Sequence, residues 1–353
     1  MLENLSTIMT FTGSLDESWF YLVSVAIEAR AAPLLPLMLN AIAAARINDS
    51  KAVIECLRTF AETIDELGTL LTRMYENCDP HVFFHRIRPF LAGGRDMAEA
   101  GLPNGVMFDT GSGNDPYRQY GGGSNAQSTL IQFFDSVLGV EHRPTGETRT
   151  HNSSTDRGGT APSPRQIFIH EMRSYMPGPH RRFLEHTIAI ANIREYVESQ
   201  TSNRALIIAY QACLAMLSSL RSKHINMVSR YIVVQAGRPR SQSQTLATHE
   251  ATKMQNLATA SQKTAQDSRT GNKKLKGTGG TALIPFLKQA RDETGEPAID
   301  SWAKRILSNR PVDGGANFAA LGKMREHANG QMEIVGLAGT WAMDEDTGGI
   351  CHW

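Results

Sequence analysis

The sequence predicts an all-α protein, a helical bundle, on three observations. Apolar residues recur at i, i+3, i+4 and i+7 through several long stretches. Capping residues stand where those stretches begin, and no segment shows the two-residue alternation of a strand. Residues 17–46 carry Phe20, Val23, Ser24, Ile27, Leu34, Leu37, Met38 and Ala41 at helical spacing, with Pro33 and Pro36 breaking or kinking the run. Asp49 or Ser50 opens the next helix, KAVIECLRTFAETIDELGTLLTRMYEN. A further one starts near Asp79–Pro80, where proline suits the first turn, and Gly93 and Gly94 end it.

Residues 95–123 are rich in Gly, Asp and Asn and read as one long loop, a feature that tends to be functional inside a compact domain. Ser124 then opens the helix SNAQSTLIQFFDSVLG. Residues 141–165 are polar and predicted mobile; helices follow at about 165–175, 178–188, 192–200 and 204–235. Residues 237–276 hold almost no large apolar side chains and are predicted to form an exposed, disordered loop. KGTGGTALIPFLKQARDE resumes order with a glycine turn and one helix. Residues 1–295 thus form one domain containing those two loops, and residues 296–353 form a Gly-rich, aperiodic extension predicted to be poorly ordered.

Composition excludes several classes of function. With 36 basic against 35 acidic residues the net charge is +1, which favours neither nucleic acid nor an anionic membrane as partner. Cys56, Cys78, Cys213 and Cys351 form no CxxC pair and no CxxCH, so they read as reduced thiols rather than a disulfide framework, a zinc site or a covalent cofactor attachment. The start, MLENLSTIMTFTG, has no basic segment followed by a long apolar one, and the apolar stretch 31–45 is short and holds two prolines. The expectation is a cytoplasmic protein without a membrane span.

Three places can carry chemistry. His224 lies in a long apolar helix, sharing a face with Arg221 at i, i+3, with Tyr231 two turns on. It is either a core histidine satisfied by a neighbouring carbonyl or an axial ligand to a cofactor inside the bundle; spacing leaves both open. YGGGSNAQS allows close backbone approach, but it lacks a preceding strand, GxGxxG or GK[ST], which disfavours a nucleotide; a helix-capping turn is the simpler reading. In HVFFHRIRPFLAGG, Phe83, Phe84, Ile87 and Phe90 suit a core, and Arg88 among them needs a carboxylate, from the protein or from a substrate. His81 and His85 at i, i+4 lack an HExxH pattern, and there is no GxSxG.

DPHVFFHRIRPFLAG, YGGGSNAQSTLIQFFDSVLG and LRSKHINMVSRYI, in that order, together with EMRSYMPGPHRRFL and KGTGGT, make the chain resemble the haem-binding large domain of the indoleamine 2,3-dioxygenases over residues 4–235 and 275–292. The resemblance implies a helical bundle around a non-covalent b-type haem. It implies His224 as proximal iron ligand, supported by an Arg221–Asp135 pair. It implies Phe83 and Phe84 as an aromatic wall over the indole, Arg88 on the substrate carboxylate, and Ser124 beside the bound oxygen. Phe20 and Ser24 match pocket positions, Asn125 stands where the family's animal enzymes carry a small apolar residue, and Thr278 lies in a mobile loop that closes on substrate. The implied reaction places both atoms of O2 across the indole C2–C3 bond of L-tryptophan to give N-formylkynurenine, the first step of the kynurenine pathway towards NAD. An electron donor is then needed only to keep the iron ferrous. The small domain that precedes the large domain in the family, and roofs the pocket, is not found in this sequence. Haem uptake with weak or undetectable tryptophan turnover is therefore expected, the alternatives being a catalytically impaired haem-binding protein or a dioxygenase of another indole. The sequence leaves the oligomeric state open.

Overall fold

In the computed structural model the description covers residues 2–95, 97–98, 101–146, 167–237, 265–266, 273–274, 277–278, 282–307, 324–326, 332–336 and 339–342. Ser14 caps α1 (Leu15–Ala31) by accepting from the Glu17 backbone N–H, and the helix stops at the Ala32–Pro33 break before α2 (Leu34–Arg46). Of the two candidate caps for α3 (Ser50–Thr72), Asp49 does the capping, taking the Ala52 N–H at 3.1 Å. α4 (Met74–Asn77) leads to Asp79, which accepts from the His81 and Val82 N–H groups and starts α5 (Pro80–Val82) with proline in the first turn. The chain continues as a π-turn, Phe83–Ile87, and a 3-10 turn, Arg88–Leu91.

Ser124 caps only the short 3-10 turn Asn125–Gln127; Ser128 opens α6 (Thr129–Leu138), accepting from the Leu130 N–H. Two serines four residues apart both suit a cap, and the second supports the helix. Then come α7 (Phe168–Met172), α8 (Gly178–Ile190), α9 (Ile193–Ser199) and α10 (Arg204–Val228). α10 passes into a second π-turn, Ser229–Val233, where the sequence predicts unbroken helix. A further helix spans Leu283–Thr294.

α3 and α10 form the spine, with α1 and α2 packed on α3 and the Leu283–Thr294 helix on α10. Phe60 and Ile64 of α3, Tyr210 and Leu217 of α10, and Phe133 and Phe134 of α6 are fully buried. The Phe60 and Phe134 rings meet edge to face at 5.1 Å, worth about 0.5–1.5 kcal/mol beyond the buried area. The buried Tyr210 hydroxyl donates to the Leu138 carbonyl at 2.6 Å and ties α10 to the end of α6. Leu15–Arg46 and Arg204–Ala236 have the length and hydropathy of a membrane span, but 33% and 44% of their apolar windows are buried in this bundle. Cys56, Cys78 and Cys213 are buried free thiols; Cys351 lies outside the described residues.

Short strands, which the sequence reading did not anticipate, occur in three places. Val106–Met107 pairs antiparallel with Tyr117–Arg118 inside the long loop, and Ala265–Gln266 with Lys273–Lys274. Met324–Glu326, Met332–Gly336 and Gly339–Ala342 form a three-stranded antiparallel meander in the segment read as patternless. Strands of two to five residues hold too few alternations to register as a period. Most of the two predicted loops, 141–165 and 237–276, lies outside the described residues. Residues 141–146 are held to the Leu283–Thr294 helix instead, the Gly146 N–H donating to Gln289 Oε1 at 2.8 Å. Packing also runs past residue 295, since Glu296 and Ala298 are buried.

Candidate functional site

A cavity of about 390 Å³ opens between α1, the two π-turns, the glycine loop and the Leu283–Thr294 helix. A second lobe of about 180 Å³ shares Ser24, Asn125, His224, Phe286 and Leu287 with it and reaches Asp135 and Arg221. Together they have the size and apolar lining of a small-molecule or cofactor pocket.

The turn after α4 positions one wall. The Trp19 indole N–H donates to the Arg73 carbonyl at 2.7 Å, and the Asp79 N–H donates to Asp16 Oδ1 at 2.7 Å, so α1 is tied to the start of α5. From the other side the Tyr231 hydroxyl donates to the Cys78 carbonyl at 2.5 Å. The two π-turns are thereby brought face to face, with Phe83 edge-on to Tyr231 at 5.6 Å and 5.0 Å from Phe20. Each π-turn adds a residue to its helix and re-aims the side chains after it, a device common at functional sites. Of the two phenylalanines read as an aromatic wall, Phe83 lines the cavity, whereas Phe84 is not on its lining and packs under the Arg88 guanidinium at 5.6 Å. Arg88 itself lines the cavity, is only 2% exposed, and burial lowers its pKa to about 10, still a cation at neutral pH.

The glycine loop supplies the next wall. A Cβ on Gly93 would stand 2.3 Å from the Tyr120 carbonyl oxygen, and one on Gly122 would stand 2.0 Å from that of Leu91. Two backbone segments thus lie against each other where only glycine fits. The Gly122 N–H donates to the Thr278 carbonyl at 3.0 Å, and the Thr278 hydroxyl donates to the Gly123 carbonyl at 2.6 Å. This brings Thr278 to the cavity from 155 residues away. Ser124 and Asn125 follow on the lining; the Ser124 hydroxyl accepts from the Ala126 N–H at 3.2 Å, while the Ser24 hydroxyl donates back to the Phe20 carbonyl at 3.2 Å.

His224 borders both lobes. What surface it exposes faces the cavity, and its ring has no hydrogen-bond partner among the described residues. Burial, with the nearby Arg221 charge, pushes its pKa down to about 4, so the imidazole is neutral at ordinary pH. A core histidine satisfied by a carbonyl would look different. This ring is a neutral donor aimed into an apolar cavity, the form that a haem iron takes as axial ligand. Arg221 Nη2 donates to both oxygens of Asp135 at 2.7 Å, as the sequence resemblance implies. Burial alone would raise the Asp135 pKa; Arg221 and His142 outweigh it and hold the carboxylate below its usual range. The cavity and its imidazole, without a hydrogen-bond partner among the described residues, therefore fit a non-covalent haem.

The model of the family described as indoleamine 2,3-dioxygenase matches residues 1–297. The chain belongs to this family. It is 42% identical over 299 residues to an indoleamine 2,3-dioxygenase of Saccharomyces cerevisiae, covering 83% of this chain and 61% of that protein. It is 36% identical over 302 residues to a 6-hydroxytryptophan 2,3-dioxygenase of Fusarium equiseti, covering 83% of this chain and 64% of that protein. Against the human indoleamine 2,3-dioxygenase 2 the identity is 32% over 298 residues, covering 84% and 63%. The chain thus spans about three fifths of the length of the curated relatives it matches.

The sequence reading missed part of the site. Phe168, Leu283, Phe286 and Leu287 line the cavity. The i, i+3, i+4 spacing of Leu283, Phe286 and Leu287 in LIPFLKQARDE was the available signal. Behind Asp135, His142 bridges to Glu293 across 151 residues of sequence, a pairing with no local signal.

Proposed function

We propose that this family member is a haem-dependent dioxygenase of indoles, with L-tryptophan as substrate and N-formylkynurenine as product. The observation that carries the reading is His224: a neutral, unbonded imidazole on an apolar cavity that also holds a buried arginine. His224 would be the iron ligand, and the Arg221–Asp135 pair would fix the helix that carries it, support of the kind that sets ligand orientation. Ferrous haem b bound there supplies the activation of dioxygen, whose two atoms both enter the product, so an electron donor serves only to keep the iron reduced.

The chain's own residues bind and align. Arg88 takes the substrate carboxylate in a charged, two-point contact that low dielectric strengthens. Phe20 and Phe83 stack against the indole, and Ser24 and Ser124 present hydroxyls on the same lining. Thr278, bonded to the glycine loop, keeps water out while it is docked. No acid or base is asked of these residues, which agrees with an aromatic and hydroxyl lining. On this reading the reaction begins tryptophan breakdown towards NAD, in the cytoplasm; the buried free thiols support a reducing compartment.

A second reading changes the indole. Asn125 places an amide on the lining shared by both lobes, and a relative is named for 6-hydroxytryptophan. The test supplies haem-loaded protein, ascorbate and methylene blue with tryptophan or 6-hydroxytryptophan under heavy-isotope dioxygen. Two labelled atoms in a ring-opened product support the proposal, and the faster substrate decides between the readings. Haem-loaded protein that opens neither ring, even when a relative's small domain is supplied, would refute it.

A further inference from the structure

His142 stands outside the indole cavity, in the loop after α6, and none of the roles above uses it. Its ring lies between two carboxylates. Nε2 is 3.0 Å from Asp135 Oδ2, and Nδ1 is 2.7 Å from Glu293 Oε2. All three side chains are no more than 5% exposed. An ionised carboxylate can only accept, so each ring nitrogen must carry a hydrogen, and only the imidazolium carries both. A neutral ring would set a nitrogen lone pair against an oxygen lone pair inside the protein.

Protonating a carboxylate instead is the poorer solution. Both Asp135 oxygens accept from Arg221 at 2.7 Å. The other Glu293 oxygen accepts from the Arg143 N–H at 3.2 Å and from Gln289 Nε2 at 2.8 Å. With His142 charged, Arg221 and His142 offset Asp135 and Glu293, while Arg143 pairs with Glu296 and also lies 3.7 Å from the other Glu293 oxygen, so its charge is shared between the two glutamates. The remaining groups turned towards the ring do not upset this balance. Burial, with the charges of Arg173 and His142, lowers the pKa of His170 on α7, while Glu141 on the same loop pairs with Arg194 at 3.8 Å.

We propose that His142 is a positioning residue, an imidazolium that clamps the Leu283–Thr294 helix to α6 and so holds Arg221 and the cavity wall beside His224. The helix is bound at three points on its last turns. Glu293 meets His142, Thr294 takes a hydrogen bond from Arg221 Nη1, and the Ala290 carbonyl takes another from the same nitrogen at 3.3 Å. Phe286 and Leu287, about one turn earlier, line both lobes with His224. The clamp rests on this geometry alone; its effect on a haem ligand rests on the proposed function.

Burial opposes the charge on His142, but Asp135 and Glu293 outweigh it and hold its pKa above that of an ordinary imidazole. A raised folded-state pKa means the clamp is fully present below the ordinary imidazole value and is lost as pH rises through the raised one. Each unit by which the value is raised corresponds to about a tenfold bias towards the clamped form.

The test is a histidine side-chain NMR titration of the full chain without haem, with His142→Gln identifying the resonance, and amide hydrogen exchange over residues 283–294. The expected ring keeps its second proton above the range of an ordinary imidazole. His142→Gln should speed exchange of the helix at least tenfold at neutral pH, with wild type converging on the variant as pH rises. If His142→Gln fails to fold, Glu293→Gln reports instead, by lowering the ring's titration point. A neutral ring at pH 7, or a wild-type-to-variant difference that does not change with pH, would overturn the proposal. Haem titration of the same samples is read separately, so loss of haem binding would count against the proposed function and leave the clamp standing.

Discussion

Replacing Arg88 by Met keeps most of the buried volume and removes the charge together with its N–H donors. The guanidinium is 2% exposed and sits over the Phe84 ring at 5.6 Å, so a carboxylate reaching it would meet a cation in a low-dielectric wall. Hydrogen bonds to charged groups contribute about 1.5–3 kcal/mol, and burial places this one towards the upper end. At about 1.4 kcal/mol per factor of ten, the wild type should bind L-tryptophan roughly 10- to 150-fold more tightly than tryptamine, which lacks the carboxylate. Arg88→Met should bind the two about equally, while tryptamine affinity itself changes little. Optical titration of the haem-loaded protein with each ligand measures all four constants. An Arg88→Met variant that kept a tenfold preference for tryptophan would refute the assignment of Arg88 to the carboxylate.

Other outcomes follow from the same geometry. Because the His224 imidazole already titrates at about 4, haem affinity should be nearly flat from about pH 5.5 to 8; a tenfold loss per unit below 6.5 would show an ordinary histidine. Thr278→Val removes the bond to the Gly123 carbonyl and should raise KM more than it lowers kcat, measured by steady-state kinetics. Tyr210→Phe strands the buried Leu138 carbonyl and should cost about 1–3 kcal/mol of stability in urea unfolding, without shifting the haem spectrum. Asn125→Ala should change the ratio of turnover on tryptophan to that on 6-hydroxytryptophan; an unchanged ratio would remove Asn125 from substrate selection.

Much of the helical frame was legible because local signals set it. The 3.6-residue period, the Pro33 break, the Asp79–Pro80 start and the long apolar helix carrying Arg221 and His224 all reappear in the structure. Of the residues assigned to the pocket from sequence, Phe20, Ser24, Phe83, Arg88, Ser124, Asn125, Thr278 and His224 border the main cavity, and Arg221 and Asp135 its second lobe. Phe84 is not on the lining of this cavity; the π-turn at Phe83–Ile87 adds a residue to the turn, and periodicity at 3.6 cannot foresee that shift. The choice of Ser128 over Ser124 as the α6 cap was open to sequence, since both residues carry the same chemistry. The His142–Glu293 contact was closed to it: two residues 151 positions apart meet only because the Leu283–Thr294 helix folds back on α10.

The most direct measurement is the absorption spectrum of haem-loaded protein in the ferric and ferrous states, with its haem stoichiometry, for wild type and His224→Ala. The expected result is one non-covalent haem per wild-type chain with a histidine-ligated spectrum, and loss of most haem from the alanine variant. An alanine variant with the same Soret band and stoichiometry as wild type would contradict the placing of His224 at the iron.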